Sequence, residues 1–408
     1  MSFWNSLQVS ATVLTLLCFV EMVQAKSLDS DGIFPLSNVS DEHDFAPLAT
    51  LTSQAKIVAL GESFHTSEGF HIQRERIIRF LVEKKGVRTV FLESPWAEAL
   101  VASKYVESCR GTSTEAVNSL LDVWRSKSFA QTLEWLCRYN KAHPNDRVMF
   151  AGVDNQNPWA DAKIIRAFIY NKKFRSIALT NDLDKCVGAK STSLESFKAS
   201  PEWDLYVRDN QQVPQEIHDE CLRSLEALQK MNLSTKAAIA VMSLQSWQKR
   251  WYFLNRDEQR FINDRDVGMY EIFNKLYMTR KKGRTILIGH NYHIAMSSNP
   301  NPQLSPMGTL LKKEYGPLYE AVGLIGYRVK INWPETQFKD QLPPLDVNSA
   351  EFLLHERYLG SVLVDTQTVF PQSTPLFIYN NGRAQPAIIK DQFRALVYLE
   401  NSESRPPR

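Results

Sequence analysis

A mainly parallel α/β sheet flanked by helices is the fold this sequence predicts, and three observations carry it. Short runs rich in Val, Ile and Leu alternate with stretches of helical periodicity, the signature of βαβ units. Those runs are nearly continuous in apolar character and bordered by charge, as strands covered on both faces are. No internal repeat or low-complexity stretch interrupts the alternation. With 408 residues, 43% hydrophobic and 23% charged, the chain is outside the disordered, collagen-like and coiled-coil classes. Its net charge of +3 is spread along the chain, so it offers no electrostatic footprint for nucleic acid or an anionic membrane.

The elements follow in order. Val9–Val20 is an apolar run, and Val23-Gln24-Ala25 has the small-residue pattern of a cleavage site before Lys26. Residues 1–25 are therefore expected to be a signal peptide, sending the protein to the periplasm or outside the cell, although Met1 to Gln8 carries no Lys or Arg. Nothing later approaches the ~18 apolar residues of a membrane span. Residues 26–400 are expected to form the α/β domain, with strands at Lys56–Leu60, Arg88–Leu92, Arg147–Val153 and Arg284–Ile288. A helical insertion over about 156–282, with helices at Leu194–Ala199, Ile217–Met231 and Thr235–Asn255, is expected as a lid or subdomain. Later runs at Ala321–Tyr327, Val362–Val364, Leu376–Tyr379 and Leu396–Leu399 extend the sheet or pair at its edge. The tail 401–408 is expected to be disordered, and a monomer is the default. Cys109, Cys137, Cys186 and Cys221 allow two disulfides, most simply between sequence neighbours; four reduced core thiols are the alternative.

The informative pattern is what stands at the carboxyl end of each of the first four strands. They end in Gly61-Glu62-Ser63-Phe64-His65, in Glu93-Ser94-Pro95-Trp96, in Gly152-Val153-Asp154-Asn155 and in Gly289-His290-Asn291-Tyr292-His293. Ligand crevices of parallel sheets lie outside the carboxyl ends of the strands. Any one of these residues could be a satisfied terminal polar group, but together they mark a site. Arg74 adds to it. On a helix from Ser67 to Lys84, capped by Thr66 or Ser67, Arg74 lies on the apolar stripe of Phe70 and Ile78 and so faces the strand ends. An ion pair with Glu62 or Glu93 would put it in the same place.

Two chemistries fit these residues. Glu62-x-x-His65 and His290-x-x-His293 are metal-like spacings, although a helical H-E-x-x-H is absent. Alternatively, His65 is a general base on water, oriented by a carboxylate, with Arg74 and a second His stabilising the oxyanion. No G-x-S-x-G elbow, phosphate loop or G-x-G-x-x-G is present, which disfavours a serine nucleophile and nucleotide cofactors. Trp96, Trp159, Trp247, Trp251 and Tyr252 could line an apolar cleft, while Trp247 and Trp251 at helical spacing also read as core.

The run Gly61–His65 followed by Glu68 and Arg74 resembles the first motif of the erythromycin esterase family. Phe91-Leu92-Glu93, Gly152-Val153-Asp154, Asn263-Asp264-Arg265-Asp266 with Met269, and Gly289–His293 resemble its other motifs, in the family's order. The resemblance implies a hydrolase that opens macrolide lactones by water attack without a required metal, hence a small-molecule ester or lactone substrate, no cofactor, and a possible role in antibiotic resistance. It implies His65 as general base, with Glu62, Arg74, Glu93, His290 and His293 at the other catalytic positions. Trp96, Asp154 and Arg265 complete the expected substrate-side set, the last two at motif positions of a supporting kind. A more distant resemblance, through the strand ends, is to Tiki-type metalloproteases and haem-binding proteins. It keeps two rivals in view: a metal-dependent hydrolase, and a non-catalytic haem or apolar-ligand binder with His290 or His293 as axial ligand.

Overall fold

The expected apolar runs become strands β1 (Ile33–Pro35), β2 (Ile57–Leu60), β3 (Val87–Pro95), β4 (Met149–Asp154), β5 (Arg284–Ile288), β6 (Tyr319–Val329) and β7 (Val362–Asp365). They are followed by β8 (Leu376–Asn380), β9 (Arg383–Ala387) and β10 (Ala395–Ser402). The computed structural model describes residues 32–37, 42–171, 183, 186–187, 214–280, 283–330, 346–358 and 360–404. One eight-stranded sheet runs in the order β1-β7-β10-β6-β2-β5-β3-β4. From β10 to β4 every neighbouring pair is parallel, while β7 and β1 close one edge antiparallel.

Side chains alternate across this sheet, and each face has its own core. Val58, Leu60, Val90, Leu92, Ile286 and Ile288 join one buried cluster. Their neighbours Ile57, Ala59, Phe91 and Leu287 join the other. A strand that must be apolar at every position reads as a continuous run, which is why these three are visible in the sequence.

Helix α1 (Glu68–Lys85) brings Phe70, Ile77, Ile78 and Leu81 to the first cluster. Helices α2 (Trp96–Ser108) and α3 (Lys127–Ala142) follow. The described part of the helical insertion is α4 (Pro158–Asn171), α5 (Gln215–Gln229), α6 (Thr235–Tyr252) and α7 (Glu258–Thr279). It covers the opposite face through residues such as Ile165, Leu244, Trp247 and Phe273. Short α8 (Asn291–Ile294) follows β5, then α9 (Met307–Tyr315), and α10 (Ala350–Arg357) precedes β7. Gly268 of α7 allows that helix to sit against α6: a Cβ there would lie 1.8 Å from Ser246 Oγ. Cys109 bonds Cys137 and Cys186 bonds Cys221, with Cα atoms 5.3 and 5.2 Å apart, so the sequence-neighbour pairing holds.

Several expectations need correction. Ser67 stands at the N-cap of α1, but its hydroxyl makes no cap bond and meets Ser402 Oγ at 2.6 Å. The Leu376–Tyr379 run does not join the main sheet; it pairs with β9 in a separate hairpin. β10 continues through Ser402, and Ser404 bridges to Ser67, so order persists past Glu400 where a disordered tail was expected. The signal segment 1–25 and the expected helix Leu194–Ala199 lie outside the described residues. Among the described residues no helix is long and apolar enough to cross a membrane.

Candidate active site

The register of the sheet assembles the site. Leu60 pairs with Ile288, Ile288 with Leu92, and Leu92 with Gly152, so the four strands end in a row. Glu62, His290, Glu93 and Asp154 therefore emerge along one edge. A bulge in β3 between Leu92 and Pro95 inserts a residue beside β4 and re-aims Glu93. Gly61 lets α8 close over the strand end, since a Cβ would lie 1.9 Å from Asn291 Oδ1.

On the β2 side, Glu62 is fully buried and binds two partners. Its Oε2 accepts from Arg74 Nη2, and its Oε1 lies 2.7 Å from His65 Nδ1. Burial alone would raise its pKa, but the Arg74 charge and the His65 hydrogen bond bring it down to about 2. An ionised Glu62 can only accept, so His65 carries its proton on Nδ1 and its lone pair on Nε2. Arg74, 1% exposed, is sealed beneath Glu62, with its guanidinium 5.1 Å from the Trp124 ring and Nη1 donating to His71 Nδ1 at 3.3 Å. The helical stripe thus faced Arg74 to the strand ends as expected, and Glu62 is its partner. The chain turns immediately after His65 through Thr66 at φ 67°, a left-handed conformation costly for a β-branched residue. A brace comes from elsewhere: Asn381, at the tip of the β8–β9 hairpin, donates its N–H to Ser63 O at 2.8 Å and accepts from His65 N at 3.5 Å.

Arg265 of α7 is the hub of the other side. Its Nη2 donates to Glu93 Oε1 at 2.7 Å and to Asp154 Oδ2 at 2.8 Å. Its Nε donates to Asp154 Oδ1 at 3.3 Å and its Nη1 to His293 Nε2 at 2.9 Å. One Nη1 N–H has no partner among the described residues, and the side chain is 13% exposed. Glu93 also accepts the His290 backbone N–H at 2.7 Å. Burial would raise its pKa, yet His293 and Arg265 beside it, with the His290 N–H, hold it well below the usual carboxylate range.

The two later histidines differ. His290 Nδ1 accepts the Tyr292 N–H at 3.2 Å, so its proton is on Nε2, which donates to Ser63 O at 3.3 Å. Burial, followed by the nearby His65, lowers its pKa to about 3 and keeps it neutral. His293 Nδ1 lies 2.8 Å from Asp266 Oδ1. Burial opposes charge on His293, but Asp266 and Glu93 together raise its pKa above the ordinary value. Nε2 faces Arg265 Nη1, which suits the neutral ring, and Glu93 Oε1 at 3.4 Å, which suits the protonated one, and the raised pKa favours the latter.

The structure brings Arg74, Glu62 and His65 into one hydrogen-bonded network and Arg265, Glu93, Asp154 and His293 into another, with the His290 ring centroid 5.0 Å from that of His65 between them. Of the five aromatic residues considered for a cleft wall, three are core. Trp96, Trp247 and Trp251 are 3%, 2% and 2% exposed and packed in the core, because their area is worth more buried than presented to a ligand. Trp124 is an aromatic residue at the site, its ring 6.0 Å from His65 and its Nε1–H donating to Glu93 O. Asp266 and Asn381 also belong to the site. Asp266 was visible only as part of the Asn263–Asp266 motif, and no local signal pointed to Asn381. Among the described residues no group of three or more His, Cys, Asp and Glu is arranged to hold a metal ion.

Comparison with known proteins bears on this cluster. The sequence profile named Erythromycin esterase matches residues 82–402. The chain belongs to the erythromycin esterase family. An Escherichia coli protein named erythromycin esterase type II is 30% identical over 137 residues, 33% of this chain and 31% of that protein. The chain thus matches about a third of that relative's length. Two solved structures share the fold. A Bacillus cereus protein superposes with a TM-score of 0.73 at 20% identity, covering 94% of this chain and 98% of that one. A mutant erythromycin esterase, EreC, in its open conformation gives 0.67 at 17% identity, over 90% and 95% of the two chains.

Proposed function

We propose that this family member hydrolyses a carboxylic ester or macrolactone by attack of a water molecule activated by His65. The observation that carries the reading is the buried chain Arg74–Glu62–His65, which fixes the histidine tautomer and supports the imidazolium that forms. Glu62 stays ionised and His65 presents Nε2 as the basic nitrogen. As water adds to the carbonyl carbon, its proton passes to His65 Nε2 and the carbonyl π pair moves to oxygen. His290, held neutral with its proton on Nε2, can turn that N–H from Ser63 O to the oxyanion, and Arg265 has one N–H to add. Arg74 holds Glu62 and has no part in binding the oxyanion, a change from the sequence expectation. His293, which enters the cycle protonated, gives its Nε2 proton to the leaving alkoxide.

The printed name of the Escherichia coli relative makes a macrolide the first substrate to try, and a resistance role in an exported protein follows if it is cleaved. The test is mass spectrometry of erythromycin incubated with purified wild-type protein and with His65→Ala. Gain of one water with the wild type alone is the expected result. Removing a general base should cost ~10²–10⁴-fold in rate. A variant with near-wild-type turnover would discard His65 as base.

A further inference from the structure

Resting on that hydrolytic reading, we infer that Asp266 is a positioning residue that makes His293 the proton donor to the leaving oxygen. Asp266 is fully buried on α7, and its Oδ1 accepts the Met307 N–H at 2.9 Å while lying 2.8 Å from His293 Nδ1. A carboxyl oxygen already receiving one N–H and facing an imidazole nitrogen requires that nitrogen to carry its proton. His293 therefore works through Nε2 alone. The pair repeats Glu62–His65 on the opposite side of the site, with one difference: Nε2 of His293 faces both a donor and an acceptor. Neutral, it accepts from Arg265 Nη1 at 2.9 Å; protonated, its N–H turns to Glu93 Oε1 at 3.4 Å. The ring is thus provided for in both protonation states without leaving its place.

The chemistry balances. Collapse of the tetrahedral intermediate breaks the bond from carbon to the leaving oxygen, whose pair takes the proton from His293 Nε2. Arg265 Nη1 then donates to the vacated lone pair. Solvent returns one proton to His293 and removes the one held by His65, so the net reaction adds one water and releases the acid's proton. The groups facing His293 are Asp266 and Arg265 from α7, Glu93 from β3, and His290 and Tyr292 from its own turn. Asp266 and Glu93 favour the charged ring and Arg265 opposes it. Removing the Asp266 charge should therefore lower the proton affinity of His293.

The conservative variant separates this role from a structural one. In Asp266→Asn the Oδ1 can still accept both N–H groups, so the tautomer is kept and only the charge is lost. Histidine-labelled full-length protein, with His293 assigned by its absence in His293→Gln, is titrated by ¹⁵N NMR. The expected result is a wild-type midpoint above the ordinary ~6.5, falling by ~1 unit or more in Asp266→Asn. In parallel, Asp266→Asn should slow an alkyl ester ~10²-fold in kcat. A nitrophenyl ester, whose leaving group needs no proton, should slow much less. An unchanged midpoint overturns the assignment of Asp266, and equal slowing of both esters overturns His293 as donor. If the wild type cleaves neither ester while the midpoint still falls, the hydrolytic reading and the donor role fail together and Asp266 stands as the residue that sets His293.

Discussion

Glu62 and Glu351 are both fully buried, yet they have opposite acid–base character. Glu351 lies on α10, where its Oε1 accepts the Tyr379 N–H of the β8 strand at 2.9 Å and its Oε2 has no partner among the described residues. Burial pushes its pKa up to about 8. Glu62 meets the same burial, and Arg74 and His65 bring it down to about 2. The difference teaches what the strand-end cluster is made of: a buried carboxyl stays charged only when a buried cation is placed against it. Asp161 of α4 sides with Glu351. It takes only a neutral hydroxyl bond, from Ser243 at 2.6 Å, and its pKa is raised well above the ordinary value. Among the described residues, buried charge gathers at the strand-end cluster, and burial disfavours it on Asp161 and Glu351.

The sharpest way to break the contrast is Arg74→Met. It leaves Glu62 buried without its main cation, and losing one partner of a buried pair costs ~3–5 kcal/mol. Chemical denaturation at pH 7 should show that loss, and the loss should shrink towards pH 5 as Glu62 takes up a proton in the manner of Glu351. A difference below ~1 kcal/mol at pH 7 would mean that Arg74 does not hold the charge.

The acid dependence of the whole protein comes next in size. Glu62 is ordinarily near 4.5 and sits at about 2 in the fold, so its contribution is present above 4.5 and lost as pH falls through 2. His290 titrates ordinarily near 6.5 and at about 3 when folded. Below 6.5 the unfolded chain takes up a proton that the folded one refuses, so this contribution is also lost on acidification. Both groups act in one direction. Because Glu351 and His293 shift the other way, the comparison is between variants: between pH 6.5 and 4.5 the wild-type Tm should fall more steeply than that of His290→Gln. Equal slopes for the two proteins would contradict the direction at His290.

How much of this was legible follows from distance along the chain. The strand ends were visible because an apolar run and the ionisable residue after it are adjacent. Arg74 was visible because a helix places residues 70, 74 and 78 on one face. Periodicity gives the face but not the depth, so Arg74 could be directed to the strand ends yet not recognised as lying beneath Glu62. Arg265 reaches Asp154 across 111 residues and Glu93 across 172, and Asn381 reaches His65 across 316. No local pattern encodes such pairings. The family resemblance marked Arg265 as a motif position, but only the packing of α7 against the sheet edge made it the hub. Helical spacing favours a core stripe over a cleft wall for Trp247 and Trp251, and their burial agrees.

The smallest effect is expected at Glu351, where its sign is the test. Its folded pKa of about 8 lies above the ordinary 4.5, so between those values the folded chain holds a proton that the unfolded chain has released. That contribution is fully present below 4.5 and is lost as pH rises through 8. Glu351→Gln keeps an oxygen for the Tyr379 N–H and removes the titration. At pH 5 its Tm should fall within ~1 kcal/mol equivalent of wild type, since a neutral amide replaces a neutral acid. At pH 9 the variant should be the more stable of the two, because the wild type must then ionise a carboxyl that has no cation beside it. If the two proteins keep the same relative stability from pH 5 to pH 9, Glu351 is not neutral in the fold, and burial alone does not separate it from Glu62.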